Sequence, residues 1–423
     1  MKDLTTGLPA VGALPVNFVR SPDRAGPGGG GRFLVVVNSG YGLQFDAASN
    51  KGQQSLSVID LSLRPPAVTQ NVYFPEPQSA NVGAVFSPRA DREGAFTLLV
   101  SGGFENKVWM FDFRPETAKP ISPYSDGPDT KVGARFVDLS GLAARPPDPR
   151  YNDGRAAVYP AGLALSPDGE ILYVASNLGD SLGVVRDLKG GRALERIDLA
   201  GRRARQGSTP ARTPGGGPEY LVYPYDVAAL ARKVYVSCWN DESVAAVDFG
   251  GGKGRVSYVP VGRHPTALKL NPQGSRLYVV NSNDDSVSVI DTGTDREVER
   301  VGVRLAEGAR LGSSPEGLAL SEDGRTLYVA NAHSNSVAVV TLSGAARGVV
   351  ERRRKGRGAE GEREEREEQR SAVRGFVPTG QYPSAVAVAN GAVFVGNGKG
   401  TGFANSSTVV DNSGRAEAEE EEK

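Results

Sequence analysis

Short apolar runs, separated by Gly-, Pro-, Asn- and Asp-rich turns, recur along the whole length of this chain. The segment Arg276–Asp291 displays the unit. An aromatic and β-branched run, Leu277–Val280, leads into a polar loop, Asn281–Asp285. Small polar and apolar residues then alternate in Ser286-Val287-Ser288-Val289-Ile290. A period of two marks a strand, and β-branched and aromatic residues suit a pleated surface. The same order returns at Arg325–Val340. Ahead of each copy stands another apolar run, such as Thr266–Leu270, closed by a tight turn. These turns read Asn271-Pro-Gln-Gly274, Ser166-Pro-Asp-Gly169 and Ser321-Glu-Asp-Gly324. Gly accepts a positive φ and Pro presets a negative one, so turns form there for mechanical reasons. A fourth run ends in Val259-Pro-Val-Gly262 or Val377-Pro-Thr-Gly380. The unit therefore predicts four antiparallel strands, which make one propeller blade.

The second strand is the clearest marker, at Phe33–Val37, Leu98–Ser101, Ile171–Ala175, Val234–Ser237, Leu277–Val280, Leu327–Ala330 and Val393–Gly396. Tyr235 and Tyr278 lie 43 residues apart, and Tyr278 and Tyr328 lie 50 apart, near the blade length of about 40–45. The expected fold is all-β, a seven-bladed β-propeller of four-stranded antiparallel blades over residues 1–411. A charged, disordered insertion is expected at 345–371 and an acidic, disordered tail at 412–423. Within the insertion, Glu351–Arg370 begins basic and turns mostly acidic, as a solvated segment does. Leu4-Thr-Thr-Gly7 resembles the strand ending Val377–Gly380, so the N-terminus is expected to supply the outer strand of the seventh blade. Its third strand falls at Ser407–Asp411. Both contributions are short, and this blade is expected to be the least ordered.

Composition narrows the function classes. Among 423 residues, Lys+Arg and Asp+Glu are both 49, which removes a general electrostatic case for nucleic acid or an anionic membrane. No apolar run reaches the roughly 20 residues of a membrane helix. Cys238 is the lone cysteine, so no intramolecular disulfide forms. There is no phosphate-binding Gly-Lys-Ser/Thr loop, no Cys/His metal spacing and no contiguous nucleophile–base motif. No cofactor and no metal are expected, and the chain is expected to be monomeric.

The words Leu327-Tyr-Val-Ala-Asn331 and Ser286-Val-Ser-Val-Ile-Asp291 resemble the bacterial YVTN family of β-propeller repeats. Val36-Val-Asn-Ser-Gly-Tyr-Gly42, Val100-Ser-Gly-Gly103, Val377-Pro-Thr-Gly-Gln-Tyr-Pro383 and Gly396-Asn-Gly-Lys399 narrow this further. They resemble the propeller half of proteins that fuse such a propeller to an alkaline-phosphatase-like phosphoesterase domain. The likeness runs from about Leu4 to about Gly402. It implies export to the periplasm or beyond, although the first residues carry no signal-peptide core. The phosphoesterase chemistry would need a cluster of Asp and His metal ligands, and the chain holds only His264 and His333.

Antiparallel order puts the uniform Ser-Pro-Asp-Gly-type turns on one face and the irregular loops on the other. Function in repeat folds tends to sit with the variable loops. The candidate ligand residues there are Tyr41, Tyr223, Trp239, Asn240, His264, Asn281, Asn331, His333, Tyr382 and Lys399. Each has a structural alternative. The asparagines can satisfy backbone groups at strand ends, His264 can sit at a blade junction, His333 can be merely solvated, and Trp239 and Tyr223 can pack between blades. Asn281–Asp285 has a faint likeness to a calcium loop without its Gly and bidentate Glu. The resulting expectation is a non-catalytic binding or scaffold module for an unknown ligand or protein on the long-loop face. The alternative is the propeller portion of a phosphoesterase whose catalytic domain is absent from this chain, with such a domain in trans as a candidate partner. A propeller enzyme acting on a lactone, or through a haem or quinone at the central channel, ranks below both.

Overall fold

The computed structural model describes residues 14–22, 30–40, 54–75, 77–124, 131–143, 158–188, 193–199, 221–306, 308, 310–343 and 370–399. Within them the regular structure is β, apart from two single 3-10 turns, Gly103–Glu105 and Ser140–Leu142. No helix among the described residues is long and apolar enough to cross a membrane.

The strands fall into seven antiparallel sheets in chain order. Blade 1 holds β1 (Pro15–Arg20), β2 (Phe33–Asn38), β3 (Ser55–Asp60) and β4 (Ala67–Tyr73). Blade 2 holds β5 (Ala84–Phe86), β6 (Phe96–Ser101) and β7 (Lys107–Phe113). Its outer strand is split into β8 (Ile121–Ser122) and β9 (Arg135–Asp138), which both pair with β7. Blade 3 runs through β10 (Pro160–Leu165), β11 (Ile171–Ser176), β12 (Ser181–Arg186) and β13 (Ala193–Asp198). Blade 4 comprises β14 (Pro224–Ala229), β15 (Lys233–Cys238), β16 (Ser243–Asp248) and β17 (Arg255–Pro260). Blade 5 comprises β18 (Pro265–Leu270), β19 (Arg276–Asn281), β20 (Ser286–Asp291) and β21 (Arg296–Gly302). Blade 6 comprises β22 (Pro315–Leu320), β23 (Thr326–Asn331), β24 (Ser336–Thr341) and β25 (Ala372–Pro378). Blade 7 shows β26 (Pro383–Ala389) and β27 (Ala392–Asn397). All seven marker strands read from the sequence fall inside β2, β6, β11, β15, β19, β23 and β27. The expected closing strand at Leu4–Gly7 and the third strand at Ser407–Asp411 lie outside the described residues, as do the acidic tail and nearly all of the charged insertion.

The core is divided among the blade junctions. Phe33, Phe74, Phe111 and Phe113 fill the space between blades 1 and 2, with Phe33 set edge-on to Phe113. Separate clusters join blades 2 and 3, 3 and 4, 4 and 5, and 5 and 6. Smaller ones join blade 6 to 7, through Ala330 and Val386, and blade 7 to 1, through Val36 and Ala387. Middle strands are therefore covered on both faces, and β2 and β3 are buried at every residue. This explains the near-continuous apolar run of β2, which a sheet with one wet face would not tolerate. Each such side chain contributes roughly 1.5–3 kcal/mol on burial.

The short turns interlock around their face. Gly169, at φ +80°, leaves no room for a side chain: a Cβ there would sit 2.7 Å from Pro88 of the preceding blade. The base of the charged segment is also held. Ser371 donates its backbone N–H and its hydroxyl to Glu299 of blade 5, at 2.6 and 2.7 Å.

Ring closure follows from polar contacts between the first and last blades. Ser384 Oγ on β26 donates to the Pro15 carbonyl on β1 at 2.6 Å. At the turn end Arg20 reaches Asn390 of blade 7 at 2.5 Å and also Glu322 of blade 6 at 2.9 Å.

Candidate active site

The inner strands surround the axis, and six of them begin alike: Pro15, Pro160, Pro224, Pro265, Pro315 and Pro383. Proline fits the start of an inner edge, where no ladder N–H is needed. In all six the pairing with the second strand slips between this proline and the second or third residue after it. A bulge of this kind re-aims side chains and is common beside active sites. It falls on Asn17, Gly162, Asp226, Ala267, Gly317 and Ala385.

A cavity of about 220 Å³ runs along these strands, lined by blades 1, 4, 5, 6 and 7. Most of its wall is apolar or small. Four charged side chains break the pattern: Arg20 on β1, which is paired with Glu322, and Asp226 on β14, Lys269 on β18 and Glu316 on β22. Asp226 is fixed rigidly. Its carboxylate accepts the backbone N–H groups of Val227 at 2.8 Å and of Leu268, on the neighbouring blade, at 2.9 Å. Burial pushes its pKa up to about 6, against the opposing pull of those two N–H groups and of Lys269. Glu316 accepts a hydrogen bond from Ser314 Oγ at 3.1 Å, and burial raises its carboxyl to about 7. Lys269 is exposed to the channel, whose wall it helps to form. Desolvation lowers its ammonium pKa, partly offset by Asp226. Tyr225 lies within electrostatic reach of Glu316, Asp226, Tyr159 and Tyr382, and burial pushes its phenol upward, so it stays a protonated donor. Perturbed carboxyls beside a cation, enclosed in a channel, are the physical signature of an acid–base site.

Sequence reasoning passed over Asp226, Lys269 and Glu316. The signal appears only when the proline-started strands are aligned. Asp226, Lys269 and Glu316 then stand in columns held elsewhere by uncharged residues: Gly, Ala, Val, Ser, Thr, Tyr or Asn.

The residues named from the sequence divide into groups. Tyr223, Trp239 and His264 meet where blades 4 and 5 join, the Trp239 and His264 rings stacked at 3.9 Å and 12°. His333, Tyr382 and Lys399 meet where blades 6 and 7 join, with Lys399 Nζ 4.5 Å over the Tyr382 ring. Asn281 and Asn331 are fully buried and spend their amide donors inside the protein. Asn281 bonds Ser286 and Ser288 at 3.1 and 2.9 Å, and Asn331 bonds the Val303 carbonyl at 2.7 Å. Asn240 Nδ2 donates to the Leu221 carbonyl at 2.8 Å. Tyr41 lies outside the described residues. The calcium-like loop is otherwise engaged. Asp284 holds Arg263, and Asp285 accepts the Gly312 and Ser314 amides at 2.8 and 3.0 Å. Cys238 is buried with its thiol pKa pushed up, which rules it out as a nucleophile at neutral pH.

Residues 233–394 match the profile of a family described as "Lactonase, 7-bladed beta-propeller". The match covers Lys269 and Glu316 and begins just after Asp226. Comparison with curated proteins found no match. Among solved structures, the chain is similar to a candidate 6-phosphogluconolactonase from Bacteroides uniformis, at TM-score 0.56 and 13% identity over 92% of both chains. It is also similar to a periplasmic gluconolactonase from Pseudomonas aeruginosa, at 0.51 and 18% over 87% of this chain and 86% of that one. A virginiamycin B lyase from Staphylococcus aureus gives 0.53 and 10% over 92% and 94%. At these identities the shared property is the fold, a β-propeller.

These findings overturn the expected non-catalytic scaffold and its alternative as the propeller portion of a phosphoesterase. The matching profile is a lactonase profile, and two of these solved propellers carry lactonase names. The sequence argument failed because it sought catalytic residues close together in the chain. The channel cluster draws one residue from each of three blades.

Proposed function

We propose that this propeller is a hydrolase of cyclic esters working in its central channel. The observation that carries the reading is Glu316, a channel carboxyl raised to about 7, in the same cavity as Lys269. Near neutral pH such a group is divided between its two forms, so it can take a proton and return it. Ionised Glu316 accepts a proton from water as the water oxygen bonds to the lactone carbonyl carbon. The Lys269 ammonium and the Tyr225 hydroxyl stabilise the oxyanion that develops. When the ring C–O bond breaks, the proton on Glu316 passes to the departing alkoxide, and a hydroxy acid leaves. Water is the only co-reactant.

The lactonase profile over 233–394 supports this reading. The YVTN reading of the repeat belongs with it, supported by the asparagines Asn38, Asn281, Asn331 and Asn397 that end four second strands.

The test is a pH-stat assay on a panel of γ- and δ-lactones. Hydrolysis is expected to rise as Glu316 ionises through about pH 7 and to fall at higher pH as Lys269 loses its proton. Glu316→Gln is expected to lose about 10²–10⁴-fold in kcat, the usual worth of a positioned base. A folded chain with no activity on any lactone, or full activity in Glu316→Gln, overturns the reading.

A further inference from the structure

The residue just before each of the six inner-strand prolines has a left-handed backbone: Leu14, Tyr159, Tyr223, His264, Ser314 and Tyr382, with φ between 47° and 57°. The architecture explains the backbone. Loop side chains of the preceding blade cap it, as Asn106 does for Tyr159 at 3.0 Å, Asp180 for Tyr223 at 3.2 Å and Asn335 for Tyr382 at 2.9 Å. The architecture does not explain the side chains. Glycine or asparagine takes this conformation most cheaply, and bulky residues are outliers there. Four of the six positions nevertheless carry an aromatic ring. Further rings pack onto them: Phe104 lies edge-on to Tyr159 at 5.0 Å, Trp239 is stacked on His264, and His333 tilts on Tyr382 at 5.6 Å. Tyr159, Tyr223, Trp239, His264 and Tyr382 are all half-buried, each keeping part of its surface open.

This collar stands two residues, roughly 7 Å along a strand, from the level of Tyr225 and Glu316 in the cavity. A substituent that points out of the channel from a ring held at Glu316 runs towards this level.

We infer that the aromatic collar, centred on the Trp239–His264 stack, is a substrate subsite that takes a flat aromatic substituent on the lactone. The inference rests on the cyclic-ester reading of the channel, and it assigns the substrate class as aryl-substituted lactones. Flat faces and C–H edges suit an aromatic ring by offset stacking and edge contacts.

The test compares γ-butyrolactone with β-phenyl-γ-butyrolactone, which share a leaving group and differ by one ring. The phenyl compound is expected to show about tenfold higher kcat/KM, the scale of one good aromatic contact, mostly through KM. Trp239→Leu and His264→Leu should each pull that ratio towards one, while Trp239→Phe keeps most of it. Binding is read separately with the uncleavable lactam 4-phenylpyrrolidin-2-one. The chain has two tryptophans, and Trp109 is buried with Nε1 bonded to the Ser79 carbonyl at 2.8 Å. A lactam-dependent change in emission therefore reports Trp239, and His264→Leu should weaken it about tenfold. A wild-type ratio near one, an unchanged ratio in both leucine variants, or emission indifferent to the lactam overturns the proposal. If neither lactone is cleaved but the lactam titration saturates and weakens in His264→Leu, the hydrolase reading fails and the collar subsite stands.

Discussion

The Asp226 carboxylate accepts the backbone N–H of Leu268 at 2.9 Å, and so ties the inner strand of blade 4 to that of blade 5 one residue before Lys269. The same carboxylate raises the ammonium pKa that burial lowers. Removing it leaves Lys269 to desolvation alone. In Asp226→Ala, the high-pH limb of lactone hydrolysis should therefore move to lower pH. A pH–rate profile that keeps its high-pH limb in place would separate Lys269 from the reaction.

Glu316 should cost the fold stability at alkaline pH. Its folded pKa of about 7 lies above the ordinary value of 4.5, so between those values the folded state binds more protons than the unfolded one. Stability then falls as pH rises through this window. Glu316→Gln lacks the group, and its melting temperature should exceed that of the wild type at pH 8 and match it near pH 4. Thermal melts across the range check this.

Ser384 closes the ring through its 2.6 Å bond to the Pro15 carbonyl. Ser384→Ala leaves that buried junction with one hydrogen bond fewer, and should cost about 0.5–1.5 kcal/mol. Chemical denaturation is the direct measurement. Loss beyond this range would mean that blades 7 and 1 separate as a unit.

Blade 7 should exchange its amides fastest. Among the described residues its junctions with blades 6 and 1 hold the smallest apolar clusters, and Val393 on β27 is 41% exposed. In blade 5, by contrast, Leu277 and Ile290 are fully covered. Hydrogen exchange should find Pro383–Asn397 less protected than Arg276–Asp291, since local opening follows the density of buried contacts. Equal protection would mean that the ring transmits stability evenly.

Much of the molecule is legible along the chain because its rules are local. Alternation in Ser286–Ile290, the Gly at 169, 274 and 324, and the Tyr-Val runs determine strands and turns residue by residue, and repetition extends them to seven blades. Asn281 and Asn331, candidate ligand residues in the sequence, spend their amide donors inside the protein. The tertiary structure alone decided what the channel contains. Asp226, Lys269 and Glu316 lie 90 residues apart from first to last, each on a strand that looks ordinary by itself. Ring closure brings them to one cavity, where burial raises the two carboxyls and lowers the ammonium. A pKa is a property of surroundings, and no local pattern records which blade will stand across the axis.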